Sequence, residues 1–132
     1  MKIVVLLLGY LVGFIIPTTT LANTEVSTTP PLPVMLYFSR SDCPYCHSFE
    51  EEILEPLVKS GAYAGKIIIR KLVLDGTKPV ENFNGELVSP AELGEIYRVE
   101  VTPTLLFVDS SGDELAPRIL GYQKTDFYAY FL

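Results

Sequence analysis

Read for the spacing of apolar and polar positions, the chain divides into alternating strand-like and helix-like stretches. Val34-Met35-Leu36-Tyr37-Phe38 is an unbroken apolar run, the pattern of a strand covered on both faces of a sheet. Ser39 to Asp42 then turns the chain. From Cys43 to about Lys59 the period changes: Phe49, Ile53 and Leu57 recur every four residues, and Glu50, Glu51, Glu52 and Glu55 mostly take the solvent side of a helix. Pro44 suits its first turn. Pro56 lacks the N–H that would reach Glu52, so a kink is expected there. Gly61 and Gly65 mark the exit.

Lys66 to Leu74, dense in Ile, Val and Leu, reads as a second buried strand that ends at Asp75-Gly76. Thr77 to Val88 reads as a loop. Ser89-Pro90-Ala91-Glu92 is a capping box with proline at the first helical position, opening a helix to about Arg98. Thr104 to Val108 is a third strand, Asp109 to Gly112 a turn and Glu114 to Leu120 a fourth strand, where Pro117 implies an edge or a bulge. Thr125 to Leu132 is expected to be a closing aromatic helix. The order is βαβαββα, an α/β fold with a central mixed four-stranded sheet flanked by helices. Pairing is parallel in its first half and an antiparallel hairpin in its second.

The segment before this domain has a different character. Lys2 precedes an apolar run from Ile3 to Ile16, Pro17 interrupts it, and Thr20-Leu21-Ala22 is a small-residue cleavage pattern. Such a run spans about 21 Å as a helix against a hydrocarbon core of about 30 Å. Residues 1–22 are therefore expected to be a signal peptide cleaved after Ala22, leaving no membrane insertion. Residues 23–33, with Pro30, Pro31 and Pro33, form an extended leader, and 34–132 the folded domain. Export, most simply to a periplasm, puts the cysteines in an oxidising compartment.

Composition then removes whole classes of function. With 10 Lys plus Arg against 16 Asp plus Glu, the net charge is −6, so no cationic surface for nucleic acid is expected. The chemistry rests on Cys43 and Cys46 in Cys43-Pro44-Tyr45-Cys46. A strand-to-helix junction places the first sulfur at a helix N-terminus, where free N–H groups and the macrodipole favour a thiolate. Cys43 is then the attacking nucleophile and Cys46 the resolving thiol.

Three other readings use the same residues. A structural disulfide here would close a loop of about four residues, worth roughly 2 kcal/mol. A zinc site needs four ligands, and two Cys with one His fall short, so no metal is expected. Cys43 to His47 also spells the CxxCH haem-attachment pattern. A c-type haem protein would need another axial ligand, and the chain has no second His and no Met after Met35.

From Val34 to Leu132 the chain resembles a thioredoxin-fold protein, and more narrowly the exported thioredoxin-like proteins of the SoxW and disulfide-isomerase type. The resemblance rests on Tyr37-Phe38 leading into the CPYC pair, on Tyr97-Arg98-Val99-Glu100-Val101-Thr102-Pro103-Thr104 opening a strand, and on Gly121-Tyr122 after the last strand. It implies a cis Pro103 beside the cysteines, with Thr102, Pro103, Pro44 and Tyr45 meeting an extended protein substrate in the manner of strand addition. Tyr37 stands where thioredoxin carries a buried acid, and Asp42 where it carries Trp, so thioredoxin's proton relay does not transfer by position. Arg40 and Asp42 flank the pair, and His47, one turn after Cys43, is a candidate for tuning its pKa.

The resulting expectation is an exported thiol–disulfide oxidoreductase, reductase or isomerase-like, acting on protein disulfides without an organic cofactor and drawing electrons from a membrane thiol-transfer protein. A redox-inert binding module or maturation chaperone using the Thr102-Pro103 groove is the alternative.

Overall fold

The computed structural model of the chain describes residues 30–124. The expected signal peptide, most of the leader and the expected closing helix lie outside the described residues.

The apolar run becomes β1, Val34–Ser39, buried along its whole length. It is the middle of a sheet ordered β2-β1-β5-β6, in which β2 is Ile68–Val73, β5 is Thr104–Val108 and β6 is Ile119–Leu120. β1 pairs in parallel with β2 and antiparallel with β5, and β5 pairs antiparallel with β6. The expected mixed sheet is therefore present, with the parallel pair first.

Alternation along the strands splits the core into two. Tyr37 and Leu105 point to one face, where they pack with Cys43, Cys46, Phe49, Ile53 and Ile119. Leu36, Phe38, Leu106 and Val108 point to the other, against Leu72 and Leu93. Burying an aliphatic side chain of this size contributes about 1.5–3 kcal/mol. The cysteines thus sit on a packed face of the sheet.

The long helix departs from a regular α-helix. α1, Pro44–Phe49, runs into a π-helical turn at Glu50–Leu54 and continues as α2, Glu55–Ser60. Within it the Glu55 N–H reaches back to the Glu50 carbonyl, five residues away. This wide turn takes the place of the expected kink: Pro56 has no N–H for the Glu52 carbonyl, and widening one turn absorbs the mismatch. Gly61 ends α2 in the left-handed region at φ 66°.

Two expectations require correction. β2 is an edge strand in which only Leu72 is buried, so its apolar density reflects one covered face and not two. Thr77 to Val88 is not simply a loop. It contains a hairpin of β3, Val80–Glu81, and β4, Leu87–Val88, whose turn is organised by Asn82 Oδ1 accepting the N–H groups of Asn84 and Glu86, both at 2.9 Å. The Asn84-Gly85 dipeptide is the signal that announces it.

α3, Pro90–Ile96, begins as expected, with Ser89 Oγ accepting the Glu92 N–H at 3.1 Å. It lies so close to the end of β2 that a Cβ on Gly94 would stand 2.6 Å from Leu74 Cδ2. The fourth expected strand is broken. Glu114 bridges Val108, Pro117 follows, and only Ile119–Leu120 resumes pairing.

Candidate functional site

Pro44 and the polar turn before it start α1 where β1 ends, and this puts Cys43 at the helix N-cap. Its backbone is extended, at φ −100° and ψ 102°, and its sulfur accepts the Cys46 N–H at 3.2 Å. The Cys43 carbonyl accepts the N–H groups of Cys46 and His47 at 3.1 and 3.2 Å. Cys43 and Cys46 form a disulfide with Sγ atoms 2.25 Å apart. Cys43 is 8% exposed and Cys46 only 1%, so the first sulfur is the one nearer to solvent.

The turn that presents Cys43 is pinned from a distance. Asp75, at the end of β2, accepts the Ser41 N–H at 3.0 Å and also contacts the Ser41 hydroxyl. The Ser41 hydroxyl and N–H hold the Asp75 carboxyl below the usual carboxylate range. Sequence reading gave Asp75 only a turn role; an Asp at a strand end opposite a Ser-bearing turn is the signal for the rest.

The second expected element also arrives at the cysteines. The Thr102–Pro103 peptide bond is cis, and Pro103 is buried. The Thr102 hydroxyl lies 3.5 Å from Cys43 Sγ, placed to donate to it, and the Thr102 carbonyl lies 3.6 Å from the same sulfur. The Gly121 N–H donates to the Pro103 carbonyl at 2.8 Å, which ties the end of β6 to this loop. Pro44 and Tyr45 are exposed beside the pair, Tyr45 at 65%, as is Val101 at 47%.

Behind Cys46 lies a cluster that the sequence reading did not assemble. Tyr37, fully buried on β1, donates to Glu50 Oε1 at 2.9 Å, and its hydroxyl oxygen is 3.3 Å from the Cys46 carbonyl. Lys71 Nζ of β2 pairs with the same Glu50 oxygen at 2.6 Å. Burial pushes the Glu50 carboxyl up, but the hydrogen bonds from Lys71 and Tyr37 and the charges of Lys71 and His47 outweigh it, so its pKa falls below the ordinary value. His47 is exposed, and its charge favours the ionised form of Glu50. The four-residue spacing of Phe49, Ile53 and Leu57 puts Glu50 on the solvated face; Glu50 four residues after Cys46 and Lys71 on the following strand, β2, form no local pattern.

No group of three or more His, Cys, Asp or Glu among the described residues is placed to hold a metal ion. A cavity of about 410 Å³ lies at the far end of the helix, lined by Leu57, Val58, Tyr63, Ala64, Ile67 and Ile69, and shares no residue with the site. Disulfide exchange needs no enclosed pocket, only access for a second sulfur to Cys43, the less buried of the pair.

Comparison with known proteins gives the same architecture. A thioredoxin-fold protein from Helicobacter pylori is 24% identical, with a TM-score of 0.60 over 77% of this chain and 68% of that one. Thioredoxin O2 from Arabidopsis thaliana, solved in its oxidised state, is 16% identical with a TM-score of 0.52, covering 76% of this chain and 72% of the other. Thioredoxin-2 of the malaria parasite, described as a component of its protein secretion machinery, is 21% identical with a TM-score of 0.52, covering 76% and 80%. No curated protein matches in sequence. The sequence profile of the thioredoxin-like domain matches residues 23–132, and with the mixed sheet and the cysteine pair at the head of α1 this chain belongs to the thioredoxin-like family.

Proposed function

We propose that the protein is an exported thiol–disulfide oxidoreductase, of reductase or isomerase-like type, that exchanges disulfides with protein substrates. The observation that carries this reading is the Cys43–Cys46 disulfide at a helix N-terminus, with the Cys43 sulfur accepting a backbone N–H and facing the Thr102 hydroxyl. Each of these donors stabilises a thiolate on Cys43 once the disulfide is opened.

In the reducing direction the Cys43 thiolate attacks one sulfur of a substrate disulfide. A Cys43–substrate bond forms, the substrate S–S bond breaks, and the departing thiolate takes a proton from water. Cys46 then gives up its proton and attacks Cys43 Sγ; the mixed disulfide breaks, the Cys43–Cys46 bond forms, and the second substrate thiolate leaves. The substrate gains two electrons and the pair loses them, so a membrane thiol-transfer protein must return them. An isomerase uses the first step and its reversal. The half-exposed Thr102 and exposed Val101 supply main chain beside the sulfur for an extended substrate segment. The apolar Ile3–Ile16 run and the Thr20-Leu21-Ala22 pattern support export, to a periplasm, with cleavage after Ala22.

Turnover of insulin disulfides in the presence of a reductant tests the reading, with Cys43→Ser as control. Wild-type turnover that disappears in the control supports it, and Cys46→Ser should accumulate mixed disulfides on Cys43. Binding of unfolded protein with no turnover would instead make this a redox-inert binding module. The reduction potential of the couple gives the direction: about −270 mV marks a reductant, about −120 mV an oxidant.

A further inference from the structure

β2 is the outermost described strand on its side of the sheet, and its register decides which of its groups face outward. The Ile68 and Leu74 N–H groups donate to the Pro33 and Ser39 carbonyls. Alternate residues of β2 therefore turn their backbone groups to β1, and Ile69 and Lys71 turn theirs the other way. Among the described residues nothing bonds to those outward groups. At the C-terminal end the Gly76 N–H takes the Val73 carbonyl at 2.8 Å and closes the edge.

Two hollows flank this edge. The cavity of about 410 Å³ lies against Ile67 and Ile69, with Leu57 and Val58 of α2 as its other wall. A second, of about 230 Å³, lies beyond Lys71 and is lined by Val73, Pro79 and Val80. The charge here runs against that of the molecule. Four of the chain's 10 Lys and Arg, namely Lys66, Arg70, Lys71 and Lys78, fall in one stretch with a single acidic residue, Asp75, although the net charge is −6. Lys71 is paired with Glu50, and Arg70 donates to the Glu81 carbonyl at 2.5 Å. Among the described residues no carboxylate forms an ion pair with Lys66, Arg70 or Lys78.

We propose that the β2 edge is a docking site for an extended segment of a partner protein in which apolar and acidic residues alternate, added to the sheet as a further strand. Main-chain bonds to Ile69 and Lys71 hold such a segment. Successive side chains of a strand point to opposite faces, so its apolar residues enter the hollow beside Ile69 while its acidic ones meet Arg70, with Lys66 and Lys78 at the two ends. A second copy of β2 is the poorer occupant: paired antiparallel about its middle, it sets Arg70 and Lys71 opposite the same cations. The chain's own residues 23–29 contain one acidic residue, Glu25, and one aliphatic residue, Val26, and match the stripe only in part. The edge shares no residue with Cys43, Cys46 and the Thr102–Pro103 loop, so the proposal stands apart from the redox reading.

The test is fluorescence anisotropy of a short fluorescein-labelled peptide of alternating Glu and Val, titrated with the full-length protein. One control peptide has Lys in place of Glu, and another has the same residues grouped into an acidic and an apolar block. The alternating acidic peptide should bind saturably, with the controls about tenfold weaker. Binding should also protect the Ile69 and Lys71 amides from hydrogen exchange. Ile69→Pro removes an outward N–H, keeps the bonds to β1, and should weaken binding about fivefold. Lys66→Glu combined with Lys78→Glu should weaken it by a similar factor and flatten its dependence on salt. Insulin turnover should stay at the wild-type level in both variants. No saturable binding, equal binding of the block peptide, or affinity unmoved in the variants overturns the proposal. A concentration-dependent dimer dispersed by Ile69→Pro would give the edge to a second copy. Peptide binding that emerges only in Val26→Pro would give it to residues 23–29. Either result overturns the proposal as well. Should Ile69→Pro not fold, the double lysine variant and the amide protection decide the matter alone.

Discussion

Thr102 reaches the Cys43 sulfur with a side-chain donor at 3.5 Å, a long contact in the disulfide but one aimed at the atom that becomes charged on reduction. Replacing it by valine keeps the shape and removes the donor. A hydrogen bond of this kind contributes about 1 kcal/mol, so Thr102→Val should raise the Cys43 midpoint by about 0.7 unit and cut the thiolate below that midpoint about fivefold. The rate of alkylation by iodoacetamide against pH measures it; an unmoved midpoint would show that the backbone donor and the helix suffice. Glu50 gives a prediction for stability. Its carboxyl has a folded pKa below the ordinary 4.5, so the unfolded chain binds its proton more readily. The stability this adds is fully present above the unfolded value and is lost as pH falls through the folded one. Glu50→Gln should therefore be less stable than wild type at neutral pH, with the difference shrinking as pH drops below the unfolded carboxylate range, as urea unfolding at a series of pH values would show. The cysteines, Thr102 and Pro103 were legible as single residues because each is bound to a local motif. Glu50, Tyr37, Lys71 and Asp75 were not, since their roles exist only when β1, β2 and the helix come together.

Among the elements, those with a local chemical cause are where the sequence puts them. The unbroken apolar β1, the Pro44 helix start and the Ser89 cap all act within a few residues of themselves. Ser89→Ala should accordingly cost about 1 kcal/mol and fray the first turn of α3, because Glu92 loses its acceptor. Thermal unfolding checks the cost; a change under 0.3 kcal/mol would mean that Pro90 and the buried Leu93 hold the turn without the cap. The elements misread are those whose form depends on neighbours. β2 has the composition of an interior strand and lies at an edge, because nothing in its own residues says how many strands flank it. β3 and β4 are too short for periodicity to register and depend on Asn82 and the Asn84-Gly85 turn. The π turn had a local cause in Pro56, but whether the strain would bend the helix or widen a turn depends on how Phe49 and Ile53 are packed.

Across the molecule, the mixed four-stranded sheet followed from counting elements, since a strand–helix–strand unit followed by a hairpin leaves few ways to cover both sheet faces. What joins the halves is β1, whose two edges meet β2 and β5. The pairing of Val34 with Val108 closes most of the domain, and brings the Thr102–Pro103 loop to the cysteines from the far end of the sequence. Acidity is the other global property. A net charge of −6 argues against polyanionic partners and favours solubility at neutral pH.

The interrupted outer strand bears on how these molecules behave towards one another. Glu114 bridges Val108, yet Ile119 and Leu120 pair with Leu105 and Thr104, so two extra residues are accommodated on the outer strand around Pro117. A long flat rim would offer its free N–H and C=O groups to a neighbouring chain and let sheets grow from molecule to molecule. Here the rim is short, offset and missing a donor at Pro117. Pro117→Val should lengthen the ordered rim, and the purified variant, held concentrated at neutral pH, should form oligomers or fibrillar aggregates sooner than wild type by light scattering and thioflavin fluorescence. Equal lag times would assign the protection to the acidic surface instead.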